Sequence, residues 1–416
     1  MTETMFHKVS NLERNVLRRL AQQVAEIAAL PIQAERIKLW KDFNSLKPKR
    51  PMILAYPEGG WRDLIPESGL LCQNPLLRGW EMILRQQIYH FNNIFDDQPV
   101  TNYFNVGLSA NFGDYGIKQA VKRTAEIGSY SWDAVVKGRE DVDKLCFRSI
   151  SIDRTETFRH LQLAKDILGD ILYVRKHGSL WWSCGLTSTL IMLRGLEQIM
   201  IDMYENQQLL HKLMSLLRDD TINMLDMFEK EGVLSLNNGE DDFVGSAGVG
   251  ATDELPASDF KGHVRTRDMW VLGEAQEFTG VGPAQFYEFA LQYQIPILNR
   301  FGLICYGCCE TLDKKFDLLI KHLPKLRRVS VSPWCDRMIA AEKLSNNYIY
   351  SWKPNPAMIC GPSVDYDFFE KDISETLRIA KGCCVEIIMK DTHTFNGDIE
   401  RISKWSKIAS RIVRDG

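Results

Sequence analysis

Three adjacent residues, Cys308, Cys309 and Glu310, stand between a β-rich apolar run, Gly302 to Tyr306, and a helical stretch. A thiol near a helix N-terminus gives up its proton more readily, and the thiolate so formed is a soft donor that suits zinc. His393, in MKDTHTF, and Glu277, in GEAQEF, follow two other β-rich runs. With Cys308 they make up a sulfur, nitrogen and carboxylate set of the kind that leaves a zinc ion one open position. Cys309 and Glu310 stand in if the strand register is off by one, because neighbours on a strand point to opposite faces. A structural account competes with this one: free cysteines are among the most buried residue types, and a rim histidine can serve only as a hydrogen-bond partner. No CxxC…CxxC spacing forces metal binding.

Further groups gather at similar positions. Lys353, in SWKPNP, has prolines fixing the backbone beside it, which suits a positioned cation for an anionic substrate group. Lys353, Asp336 and Asp391 are the expected catalytic residues, although Asp336 serves equally as a helix cap. Trp182, Asn237, Gln276, Tyr306, Trp334 and Asn355 are expected to line the substrate pocket, with Trp181, Trp182 and Trp334 able to wall a flat ligand. His177 and Glu274 are weaker candidates. GSAGVG, residues 245–250, neither follows a predicted strand nor opens an apolar helix, so nucleotide chemistry is not expected. Asp241 to Asp253 reads instead as a mobile loop over the site.

These residues need a scaffold that gathers strand ends. Short β-rich runs alternate with amphipathic stretches, which is the pattern of βα units on a parallel sheet. The predicted strands are Pro51 to Tyr56, Gly178 to Ser183, Val233 to Asn237, Met269 to Gly273, Gly302 to Tyr306, Arg328 to Ser332, Tyr348 to Trp352 and Val385 to Met389. Helices are expected at Asn206 to Glu229, Pro283 to Gln292, Thr311 to His322, Tyr366 to Ala380 and Ile399 to Val413. Eight strands each followed by helix predict an α/β fold, a (β/α)8 TIM barrel, whose chemistry sits at the C-terminal strand ends. Apolar spacing from Leu12 to Ile27 predicts an N-terminal helix over Asn11 to Leu30, stopped by Pro31. The whole chain reads as one domain with a helical extension over residues 1–50. The segment 58–177 is rich in insertions and holds extra helices and a hairpin around Asn102 to Phe112.

Composition fits this picture. The 416 residues are 45% hydrophobic and 25% charged, with 51 basic against 54 acidic side chains, so no whole-molecule field favours nucleic acid or an acidic membrane. The polar start, MTETMFHKVSNLERN, lacks a leader's apolar core, and no run is long enough to span a bilayer; a cytoplasmic location is expected. Ten cysteines outside a small disulfide scaffold are expected to be free thiols, suited to a reducing, oxygen-poor cell.

The segments LICYGCCETLDKKFDLLIKHLPKLRRVSVSPWCD, YIYSWKPNPA and IIMKDTHTFNGDIERISKW resemble the uroporphyrinogen-decarboxylase-like proteins of anaerobic bacteria. LWKDFNSLKPKRPMI, FDDQPV and MWVLGEAQEFTGVGPAQFYEF extend the resemblance over nearly the whole chain. It implies a TIM barrel with one of two chemistries, cofactor-free decarboxylation or zinc-dependent methyl transfer with corrinoid proteins. The Arg-Gln-Ala-Gly-Arg-Tyr stretch of the decarboxylases is represented only by LRQQIYHF, residues 84–91, which favours the methyltransferase branch. The His-x-Cys pair of that branch is Tyr306-Gly307-Cys308 here, and its third cysteine falls in Asp391-Thr392-His393, so the implied ligand set is altered. In such enzymes zinc is a Lewis acid that activates a thiol or polarises a methyl ether. Methyl passes to or from cobalamin on a separate corrinoid protein, a partner implied because the chain has no evident cobalamin domain. A non-catalytic corrinoid-protein-binding module is a third reading.

Overall fold

The computed structural model describes residues 9–118, 121–123 and 130–415; most of the N-terminal stretch examined for a leader lies outside them. Eight parallel strands carry the architecture: β1 Met52–Ala55, β2 Tyr103–Val106, β3 Tyr173–Lys176, β4 Trp270–Gly273, β5 Leu303–Tyr306, β6 Leu326–Val331, β7 Ile349–Trp352 and β8 Cys384–Met389. Six of them form one sheet in the order β1-β8-β7-β6-β5-β4, and β2 pairs with β3. The first and last predicted strands are therefore neighbours, with Met52 opposite Glu386 and Ala55 opposite Met389. The arrangement is compatible with a TIM-barrel-like fold.

Side chains and loop backbone, not strand pairing, cover the two outer edges of the six-stranded sheet. Along β1, the Ile53 N–H donates to Asp97 Oδ2 at 3.0 Å and the Ala55 N–H to Asp96 Oδ2 at 2.9 Å. Arg50 and His90 hold these carboxylates in turn, at 2.6 Å and 2.9 Å. Along β4, Asn237 imitates a strand, accepting from the Trp270 N–H at 2.8 Å and donating to the Trp270 carbonyl at 3.0 Å. Each device satisfies backbone groups that would otherwise be orphaned or open to a foreign strand.

Period-two alternation divides the sheet into two environments. Ile53, Val271, Ile304, Val329, Tyr350 and Ile387 face the surrounding helices in the main core. On the opposite face, Met52, Leu54, Ile349, Cys384 and Ile388 pack on Trp40 and Phe43. Arg328, Ser351 and Glu386 form a polar layer beside them, in which Arg328 Nε lies 2.9 Å from Glu386 Oε1 with both side chains fully buried.

Several sequence expectations change. Gly178 to Ser183 and Val233 to Asn237 are not strands; the residue just past the first, Cys184, donates its N–H to the Leu272 carbonyl, and the second touches the sheet through the Asn237 side chain. Two strands not expected from the sequence, β2 and β3, pair with each other, and their mixed polar sequences hid them. No hairpin spans Asn102 to Phe112; β2 pairs with β3, and Ala110–Asn111 with Ser151–Ile152. Pro31 opens a second helix, Pro31–Asn44, because its fixed φ and missing N–H suit the first helical turn. The segment read as a mobile loop contains a hairpin, Phe243–Val244 with Gly248–Val249, tied down by Asn44 Nδ2 on the Val249 and Ala251 carbonyls at 3.0 and 2.7 Å. Among the described residues no helix is long and apolar enough to cross a membrane.

Candidate functional site

Cys308 follows β5 by two residues, and strict alternation would place it with Tyr306, whose hydroxyl donates to Gln294 on the helix-facing side at 2.7 Å. Gly307 breaks the alternation. Its φ of 92° belongs to the left-handed region, and a Cβ there would stand 2.8 Å from Leu312 and 3.2 Å from Ser330. Past that turn, Cys308 Sγ accepts from Ser246 Oγ at 3.4 Å and Lys390 Nζ at 3.6 Å, and lies 3.4 Å from Cys309 Sγ. Lys390 also donates to Asp391 Oδ2 at 2.9 Å, and that atom accepts from Cys309 at 3.6 Å. The Asp391 N–H donates to Glu58 Oε2 at 3.0 Å. Glu58, Ala247 and Asp391 have φ of 46°, 76° and 57°, so three non-glycine residues in strained conformations surround the thiol pair.

Buried Glu310 fixes the loop. Its oxygens accept from the Ala275 N–H at 3.0 Å and the Cys308 N–H at 2.8 Å, while Ser330 Oγ donates to the Cys308 carbonyl at 2.8 Å. The hydrogen bond with Cys309 and the nearby Lys390 ammonium, acting against burial, bring the Cys308 thiol down to about 6. Cys309 moves upward, because it shares its proton with the Cys308 thiolate and is itself partly buried. Burial opposes the charge of Lys390, but the Cys308 thiolate and Asp391 more than offset it and raise its pKa.

The expected zinc donors are dispersed. Glu277 accepts from Thr187 Oγ1 at 2.6 Å, His393 is exposed, and Glu310 is committed to backbone N–H groups. Among the described residues, the group of three His, Cys, Asp or Glu side chains whose donor atoms all lie within 4.8 Å of one another is His177, Asp241 and Asp242. Cys308, Cys309 and Asp391 have suitable donor atoms, but the Lys390 ammonium bridges Cys308 and Asp391, where a cation would be needed. As placed, these residues do not fit the expected zinc site.

The remaining expected residues separate. Asp336 caps helix Arg337–Leu344, accepting from the Met338 and Ile339 N–H groups at 2.8 and 3.1 Å. Lys353 is buried and donates to the Ser351 carbonyl at 3.1 Å; burial, against attraction to Glu386, pulls it down to about 8. Lys353, Asn355 and Asp336 share a cleft of about 450 Å³. Trp182 and Asn237 line a different cavity of about 600 Å³, Gln276 opens a short helical turn, and Trp334 is exposed. Tyr306 faces away from the thiols, against Phe286. Lys390 and Ser246 were not picked out from sequence. For Lys390 a signal existed: Glu386, Ile388 and Lys390 share one strand parity, which points it away from the helices.

No family model and no curated protein matches the chain. Among solved structures, a methyltransferase from Methanosarcina mazei superposes with a TM-score of 0.47 at 10% sequence identity, over 89% of this chain and 96% of the other. A likeness of that size carries neither fold nor function across.

Proposed function

We propose that the chain is a methyltransferase that moves a methyl group between a small molecule, such as a methyl ether, and a corrinoid carried by a partner protein. In this reading the eight strands act as a TIM barrel and Cys308 marks its working rim. The observation that carries the proposal is the Cys308 sulfur, held by Ser246, Cys309 and Lys390 beyond a strand C-terminus. Lys390, kept protonated by Cys308 and Asp391, supplies a fixed positive charge beside the heteroatom and, when that atom loses its methyl group, the proton that replaces it; in the reverse direction its charge stabilises the anion that receives the methyl group. Glu310 and Ser330 hold the Cys308 backbone, so the sulfur does not have to be ordered during the reaction.

Zinc enters this reading as a quantity to be measured. Its Lewis acidity would serve the same heteroatom, and Cys308 with Cys309 would be its protein ligands after Lys390 withdrew. Elemental analysis of anaerobically purified protein should find less than one zinc per chain. Stoichiometric zinc, lost in Cys308→Ser, would replace Lys390 by the metal.

A second reading has its own support. Arg328, Lys353 and Lys390 lie on one face of the sheet; Glu386 pairs with Arg328 and Asp391 with Lys390, which leaves Lys353, hydrogen-bonded to Ser351, to serve a carboxylate-bearing substrate and a decarboxylase. Anaerobic assays separate the two. The wild type is expected to convert cob(I)alamin to methylcobalamin with a methyl ether, or the reverse with a phenol or thiol, and Cys308→Ser to lose this activity. Carbon dioxide release from a propionate-bearing porphyrinogen, with no cobalamin turnover in either direction, would overturn the methyltransferase reading.

A further inference from the structure

The cavity of about 600 Å³ lies beside β4 and is lined by His177, Trp181, Trp182, Asp242 and Phe243 among others. His177 directly follows β3, and its Nε2 lies 2.6 Å from Asp242 Oδ1. The second Asp242 oxygen accepts from the Gly239 N–H at 2.9 Å, so the carboxylate is fixed from two sides. Asp241 is fully committed: Arg175 grips it at 2.8 and 2.9 Å and Asn105 donates to it at 2.6 Å. A divalent ion would have to displace Arg175 and break the His177–Asp242 bond, so the compactness of the cluster does not make it a free ligand set.

What remains is a histidine oriented by a carboxylate. A carboxylate partner accepts, so the neutral imidazole carries its proton on Nε2 and leaves the lone pair on Nδ1, for which there is no hydrogen-bond partner among the described residues. Trp182 and Phe243 are 57% and 53% exposed, unusually open for such large rings. Phe243 is braced edge-on by Tyr56 at 5.4 Å. Both carboxylates already have partners, which leaves none for an ammonium ligand, and Arg175 is spent on Asp241, which leaves none for a carboxylate. The complementary ligand is flat, uncharged and carries a hydrogen to donate, and the volume is in the range of small-molecule sites.

We propose that this cavity binds a small aromatic compound bearing a hydroxyl group, its ring against Trp182 and Phe243 and its O–H donated to His177 Nδ1, with Asp242 as the positioning residue. If the proton transfers, the O–H bond breaks, its electron pair stays on oxygen, the proton joins Nδ1, and Asp242 stabilises the imidazolium. Gly245 in its lining adjoins Ser246, which donates to Cys308, but the cavity's lining includes none of the side chains that contact Cys308, and its test uses no corrinoid, so it can fail or stand independently of methyl transfer.

Calorimetric titration of the full chain with phenol, acetophenone and tetramethylammonium tests the proposal. Phenol is expected to bind saturably, and roughly fivefold tighter than acetophenone, which can only accept a hydrogen bond. Trp182→Ala, at a position more than half exposed, should weaken phenol ~tenfold. Asp242→Asn offers Nε2 a donor and so moves the ring proton to Nδ1; it should reverse the preference toward acetophenone, a change that a merely structural Asp242 would not produce. Should that variant unfold, the Trp182→Ala comparison decides alone. Absent phenol binding, phenol affinity unchanged by Trp182→Ala, an unreversed preference in folded Asp242→Asn, or tighter binding of tetramethylammonium would overturn the proposal.

Discussion

Replacing Lys390 by methionine removes the ammonium but keeps a side chain of similar length, and the loss should appear directly in the ionisation of Cys308. Lys390 Nζ and Cys308 Sγ are 3.6 Å apart, and both side chains are nearly excluded from solvent. Across that distance two unit charges attract by ~1 kcal/mol in bulk water and by ~4.6 kcal/mol at an effective dielectric near 20. Taking a middle value of ~2.7 kcal/mol, at 1.36 kcal/mol per tenfold change in proton affinity, the thiol should rise from about 6 to ~8. At pH 7 the thiolate fraction then falls from ~90% to ~10%, and the initial rate of alkylation by iodoacetamide falls ~ninefold. The rate should be followed from pH 5 to 9, with peptide mass spectrometry assigning the label between Cys308 and Cys309, since the two share a proton. Lys390→Arg keeps the charge and should hold the midpoint near that of the wild type. A midpoint unmoved in Lys390→Met, or raised as far by Lys390→Arg, would refute the pairing.

Two further predictions concern stability. Glu274 is raised from 4.5 to about 8 by burial and by Glu277 and Glu310, so its stabilising contribution is complete below about 4.5 and is lost as pH rises through about 8. Glu274→Gln, which can still accept from Ser183, should therefore be more stable than wild type by on the order of 3 kcal/mol at pH 9 and little different at pH 4; urea midpoints that stay parallel at the two pH values would count against it. Arg328→Met strands the buried Glu386 carboxylate and should cost ~3–5 kcal/mol, while Arg328→Met with Glu386→Leu should recover most of the loss. Urea melts of both variants test this, and a double variant no better than the single one would mean that packing, not charge, dominates the layer.

The strands legible in sequence were those with a strong local pattern. β1 and β4 to β8 are β-rich runs bounded by turn residues, which is the local pattern that a buried parallel strand requires. The rim position of Cys308 followed from the same pattern, though not its direction, which depends on the positive φ of Gly307.

Tertiary structure decided everything that joins distant parts of the chain. β2 and β3 were missed because their sequences, YFNV and YVRK, serve partners such as Asp241 and lack an apolar signature. Nothing local announces that Asp96 and Asp97 will finish one edge of the sheet or Asn237 the other. The charged side chain that reaches Cys308 is Lys390, 82 residues away, while Glu277 bonds Thr187 and His393 is exposed. Residue types limit which chemistry is available, but only the packed chain sets which donor, acceptor and charge come within a few ångströms, since that depends on the register and turns of segments that share no sequence pattern.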